Sequence, residues 1–205
     1  MQAARGTSVT DSAADRRSVR RPRQVFVLIA AVAYAADQVS KAIALERLDG
    51  RGDVPFLGEV LQFRLTFNPG AAFSMGTGFT PVLTVVAMVA AVVVLWFARR
   101  IGSLAWGAAL GFLLAGIVGN LTDRMVRDPG VFQGHVVDFL KLPNWPIFNI
   151  ADVCINVAAG LIILQAIRGV RLDGSRDVDR DADADDDAED VATDVDAEVN
   201  NGADS

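Results

Sequence analysis

The chain has 205 residues, 52% of them hydrophobic, with one cysteine, one histidine and a formal net charge of −6. That charge sums two unlike parts: residues 173–205 hold fourteen acidic and two basic side chains, whereas residues 1–172 hold seventeen basic and eleven acidic. A basic, strongly apolar body is a membrane protein's composition, and a lone cysteine excludes an internal disulfide. No phosphate-binding or dinucleotide fingerprint occurs, and no basic face remains for nucleic acid once the apolar segments are set aside.

Residues 1–20 are small, polar and basic, and are expected to form a disordered extension. Apolar stretches follow at about 25–45, 79–98, 104–121 and 150–167. Each has roughly the eighteen to twenty residues that a helix needs to cross a hydrocarbon core. Arg-rich residues, the run 25–32 and "AYA" at 33–35 imitate a secretory signal. Against that reading, apolar residues continue through 42–45, and removal would leave an odd number of crossings. Arg16, Arg17, Arg20, Arg21 and Arg23 precede the first stretch, Arg99 and Arg100 link the second to the third, and Arg168 and Arg171 follow the fourth. With four crossings these positions share one side, which predicts cytoplasmic termini.

Between the first two crossings, "EVLQFRLTFN" alternates apolar and polar residues, predicting a strand in a small sheet on the outer membrane surface. The region 122–149 holds Pro129, Gly130, Gly134, Pro143 and Pro146 and reads as loop-rich. Residues 173–205 contain "DRDADADDDAED", too charged to bury a core, and are expected to be a disordered acidic tail. The folded body is therefore expected over 21–172.

Within this apolar body sit polar residues that lipid does not tolerate unpaired. "DQVSK" places Asp37 and Lys41 four residues apart on one helix face, where they can pair. "FNPGAAFS" puts Asn68, Pro69 and Gly70 at a turn, with Ala71 and Ala72 leaving room beside the backbone. "GNLTDR" sets Asn120, Asp123 and Arg124 on one side of a helix, where the Arg fork can neutralise an acid or hold a carbonyl. Asn149 can cap the fourth helix, with Asp152 in its first turn and Asn156 on the same face. Asp138 lies in the preceding loop. Two acids in a partly dry site share one proton, so one serves as general base toward water while the other donates to a carbonyl. Cys154 points away from Asp152 and reads as a buried small hydrophobe. His135 with Asp138 lacks the further ligands of a metal site, so no metal or cofactor is expected.

"DQVSK", "FNPGAAFS", "GNLTDR", "VVDF" and "FNIAD" occur in the order and membrane setting of the lipoprotein signal peptidases, or signal peptidase II, a family the chain resembles over about residues 25–167. The resemblance implies an all-α membrane protein, a four-transmembrane-helix bundle with a small extracytoplasmic β-cradle. It implies an aspartic protease of the bacterial inner membrane, read as a monomer without cofactor, acting near the extracytoplasmic face. The implied substrates are prolipoproteins, cut just before a diacylglyceryl-modified cysteine, with membrane lipid as the other partner. Carried over by motif, Asp138 and Asp152 are the catalytic pair, and Asp37, Lys41, Asn68, Gly70, Asn120, Arg124, Asn149 and Ala151 support the site or hold substrate. A proton-coupled transporter would instead carry polar residues through to both membrane faces, and a scaffold would leave the paired Asp and Asn positions without purpose.

Overall fold

The computed structural model describes residues 10–70 and 80–176. The disorder expected over 1–9 and 177–205, and the small-residue opening at Ala71 and Ala72, lie outside the described residues. In chain order the elements are α1 (Thr10–Leu48), β1 (Val54–Leu57), β2 (Leu61–Asn68), α2 (Thr80–Ala98), α3 (Leu104–Val126), β3 (Val136–Lys141) and α4 (Ile150–Ile167). α1 starts inside the stretch 1–20 that the sequence suggests as an extension.

Among the described residues, four helical segments are long and apolar enough to cross a membrane: Arg21–Leu48, Thr80–Ala98, Leu104–Val126 and Ile150–Ile167. They match the four stretches expected from hydropathy, with the first longer at both ends, the second starting one residue later and the third five residues longer at its C-terminal end. α3 is central, packing against α1, α4 and α2. Its small residues make this possible: Gly107 and Gly111 lie against the α1 backbone, and Gly116 against the α4 backbone. The outward faces carry Val27, Leu28, Val32, Val85, Val89, Val92 and Ile163, all exposed. Asp37, Lys41, Asp123, Asp138, Asn149 and Gln165 are buried instead. Apolar outside and polar within is the distribution that lipid demands.

β1, β2 and β3 form an antiparallel sheet in that order, set at one end of the bundle. The alternating segment expected to be a strand is β2. β3 corrects the expectation of a loop: Asp138 stands on a strand, paired with Thr66 of β2. Val136, Val137, Asp138 and Phe139 are all buried, so the strand shows none of the alternation that marks a half-exposed one. Asp53 accepts hydrogen bonds from Lys141 and from Arg64, the latter at 3.4 Å, tying the start of β1 to β2 and, across it, to the end of β3. At the opposite end, residues 170–176 turn back on the α2–α3 link: Gly102 N–H donates to the Leu172 carbonyl at 3.0 Å, and Trp106 Nε1 to the Val170 carbonyl at 2.9 Å.

Candidate active site

Asp138 and Asp152 are fourteen positions apart, and the chain between them doubles back. Phe148 closes the excursion by pairing with β3: Phe139 and Leu140 N–H both donate to its carbonyl, at 3.0 and 2.8 Å, and its own N–H returns to Leu140. The next residue, Asn149, begins α4, so the helix starts beside the strand that carries Asp138.

Asn149 is the N-cap, as its residue type and position predict. Its Oδ1 accepts from Asp152 N–H at 3.0 Å, and Asp152 Oδ2 accepts from Asn149 N–H at 3.2 Å, a reciprocal capping box. The Asn149 amide nitrogen then reaches outward to Asp138 Oδ1 at 2.6 Å and to Asn120 Oδ1 at 3.0 Å. Asn120 completes the loop by donating to Asp152 Oδ1 at 2.9 Å. Both candidate catalytic carboxylates are therefore wired into one pair of amides. Asn68, on the same face of the sheet as Asp138, donates to the other oxygen, Oδ2, at 3.0 Å. The Asn68 amide is itself oriented by Gly70 N–H, which donates to its Oδ1 at 2.8 Å.

Below this layer lies Lys41, fully buried. Its ammonium has three protons and meets three acceptors: Asp37 Oδ2 at 2.9 Å, Asp123 Oδ2 at 2.7 Å and Asn120 Oδ1 at 3.0 Å. The Asp37–Lys41 pair expected from their spacing is thus present, in a setting where an unpaired charge would cost several kcal/mol. Asp37 Oδ1 accepts from Ala151 N–H at 2.9 Å, which explains why a backbone position belongs among the site residues. Gly119 permits the approach, because a Cβ there would lie 2.6 Å from Asp37 Oδ2.

Arg124 sits beside this cluster, where its charge acts on Asp138, Asp123 and Asp152. Its Nη1 is buried and meets no acceptor among the described residues. Gly70, at φ +117°, lies directly against it: a Cβ would fall 3.3 Å from Arg124 Nη1 and 2.5 Å from Leu83 Cδ1. Burial, with a smaller contribution from the nearby Asp152 charge, pushes the Asp138 carboxyl up to about 7, against the opposing hydrogen bonds from Asn68 and Asn149. A carboxyl at that value is poised to give and take a proton near neutrality.

All ten residues singled out from the sequence meet in this network or line it. Asn156 does not join them, although it shares a helix face with Asp152: its amide donates to the Asp152 main-chain carbonyl at 2.9 Å. Cys154 packs apart, against Ala33 and Ala115. Asp123 is the residue that the sequence reading undervalued. It is fully buried and holds Lys41, Arg127 Nε at 2.5 Å and Val137 N–H at 3.3 Å. Its four-residue spacing from Arg127 was the available signal.

Comparison with known proteins gives one answer. A family model described as signal peptidase (SPase) II matches residues 29–168. The chain is 44% identical over 156 residues to a lipoprotein signal peptidase of Leifsonia xyli subsp. xyli, covering 76% of this chain and 72% of that protein. A second, from Streptomyces griseus subsp. griseus, is 40% identical over 170 residues, covering 83% of this chain and 87% of its own. A bacterial membrane enzyme structure obtained at 1.9 Å by the in meso method aligns with a TM-score of 0.62 at 26% identity, covering 70% of this chain and 92% of that one. With four apolar helices, a small antiparallel sheet and these relatives, the chain belongs to the signal peptidase II family, multi-pass membrane proteases that process the signal peptides of lipoproteins.

Proposed function

We propose that the protein is an aspartic endopeptidase that cuts prolipoproteins immediately before a diacylglyceryl-modified cysteine, with Asp138 and Asp152 as the catalytic pair. The observation that carries this reading is the link between them: Asn149 binds an oxygen of Asp138 and, through the capping box, both holds and is held by Asp152. Two carboxylates joined in this way in a largely dry site favour a singly protonated pair. The local charges agree. Asp37, Asp123, Asp138 and Asp152 face Lys41, Arg124 and Arg127, so one proton brings the cluster to neutrality.

In the reaction Asp152, at a helix N-terminus, takes a proton from water as the oxygen attacks the scissile carbonyl. Asp138 gives its proton to the carbonyl oxygen, and a tetrahedral diol forms. Asp152 then passes its proton to the departing cysteine nitrogen as the C–N bond breaks. One diol hydroxyl returns a proton to Asp138 as the new carboxyl forms, so the pair ends as it began. Arg124 Nη1, which meets no acceptor among the described residues, is the group to hold a substrate carbonyl in place. Asn68, Gly70, Asn120 and Asn149 fix the acids, while Asp37, Lys41 and Ala151 fix the helix start beneath them.

The reading places the protein in the bacterial inner membrane as a monomer without cofactor, both termini cytoplasmic and the site near the extracytoplasmic face. Arg21, Arg23, Arg99, Arg100, Arg168 and Arg171 support that orientation, since they gather at the bundle end opposite the sheet. A lipid anchor that stays in the bilayer would hold the adjacent bond at the depth of the two acids, a gain in positioning that a soluble peptide lacks.

Purified protein incubated with a diacylglyceryl-modified precursor and with the same peptide bearing a free thiol tests both halves. The lipidated form should be cut much faster, and Asp138→Asn and Asp152→Asn should each abolish cleavage while still inserting in membranes. Full turnover by either variant ends the catalytic assignment. Equal rates for the two peptides end the lipid requirement.

A further inference from the structure

The residue before each proposed catalytic aspartate has its main-chain N–H held by a second, deeper aspartate. Ala151 N–H, preceding Asp152, donates to Asp37, and Val137 N–H, preceding Asp138, donates to Asp123. Both deeper carboxylates are bound to the same ammonium, Lys41. α4 and β3 are therefore tied, one residue ahead of each working acid, to a common point on α1.

Asp123 has a second consequence for β3. The edge of that strand facing away from β2 offers the N–H groups of Val137 and Phe139, one on each side of Asp138. Phe139 N–H finds the Phe148 carbonyl at 3.0 Å, and Val137 N–H finds Asp123 Oδ2 at 3.3 Å. Val137 is completely buried, so without Asp123 its N–H would have no partner and no water. A side chain here does what a neighbouring strand does elsewhere. The backbone approach is equally close: Gly134 N–H donates to the Arg124 carbonyl at 3.1 Å, and a Cβ on Gly134 would lie 2.3 Å from the Asp123 carbonyl oxygen.

We infer that Asp123 is a positioning residue, resting on the aspartic reading above, whose carboxylate sets where Asp138 stands relative to Asp152 by clamping Val137 to Lys41. It touches neither water nor substrate in the reaction. Its contribution is the placement of a proton donor, and a displacement of about 1 Å at such a group costs on the order of a hundredfold in rate.

The test uses full-length protein in lipid with the diacylglyceryl-modified precursor, comparing wild type, Asp123→Asn, Asp123→Glu, Arg127→Gln and Asp138→Asn. Asp123→Asn loses the charge that binds Lys41 and should lower kcat by tenfold or more with KM within about threefold. Asp123→Glu keeps the charge and should recover part of that loss. Arg127→Gln removes the outer donor and one positive charge from the cluster but leaves Val137 N–H and Lys41 on Asp123, and should lower kcat less than Asp123→Asn does. Replacing the Val137 amide by an ester, through the α-hydroxy acid, deletes the one N–H and leaves every side chain in place, so it applies even where an Asp123 variant fails to fold. It too should lower kcat at constant KM. Wild-type kcat in the ester form, or a loss in Asp123→Asn that appears only in KM, overturns the inference. Asp138→Asn separates the two levels: if it is inactive while the ester turns over normally, only the positioning role fails, and if it is active the aspartic reading itself fails.

Discussion

Asn149 Nδ2 lies 2.6 Å from Asp138 Oδ1, so the residue that caps α4 also grips an acid on β3. Replacing it by alanine removes a helix cap worth about 1 kcal/mol and hydrogen bonds to buried Asp138 and to half-buried Asn120. Asn149→Ala should therefore lower the thermal midpoint in detergent and cut turnover about a hundredfold. Retained turnover in a destabilised protein would show that the amide serves the helix alone.

The raised value of Asp138 predicts the direction of the pH response. As proton donor it works protonated, so cleavage should decline as pH rises through about 7. Stability moves in the same direction. The folded group holds its proton to about 7 against an ordinary 3.8, so the folded state binds the extra proton between these values. This contribution is complete below the lower value and lost as pH rises through the upper one. Turnover at saturating substrate and thermal midpoints between about pH 5 and 9 check both, and Asp138→Asn should flatten the stability slope. A rate that climbs steadily through neutrality would contradict the assignment of donor to Asp138.

Gly70→Ala puts a methyl at φ +117°, 2.5 Å from Leu83 Cδ1 and 3.3 Å from Arg124 Nη1. The backbone cost is about 1–2 kcal/mol, and the guanidinium must move aside. With Arg124 reserved for a substrate carbonyl, the expected result is a KM raised several-fold together with a lower kcat. A variant that loses stability but keeps both constants would remove Arg124 from the substrate.

A chain ending at Arg176 keeps the segment that accepts from Gly102 and Trp106, and should cleave within a few-fold of wild type. One ending at Gly169 loses Val170 and Leu172, the latter packed on the cluster around Phe26 and Ile101, and should melt at lower temperature. Identical melting of the two chains would show that the turn at 170–176 adds nothing to the bundle.

Much of this site could be read in the sequence because its parts are local. The Asp37–Lys41 pair follows from helical spacing, and the Asn149 cap from residue type and position. The four crossings follow from length and hydropathy, since each must satisfy its own backbone in lipid. β3 was not legible, for a physical reason. Buried on both faces, "VVDFLK" has no alternation, and the flanking Gly and Pro residues look like loop. Asp123 was hidden for a related reason. Its partners Lys41 and Val137 come from distant parts of the chain, and only packing turns its carboxylate inward. Asn156 shows the converse, since sharing a helix face with Asp152 did not bring it to the acids.

The double duty of Asn149 bears on when the protease becomes competent. The first turn of α4 closes through the same residue that grips Asp138, and Asp138 rides on a strand secured by Phe148, the residue just before that turn. The last of the described helices therefore completes the proposed site as it docks. A chain in which α4 has not docked holds Asp138 but neither Asp152 in place nor the Asn149 amide that joins them. On the proposed assignment, docking of α4 and completion of the site are one event, and a chain whose fourth helix has not docked is expected not to cut.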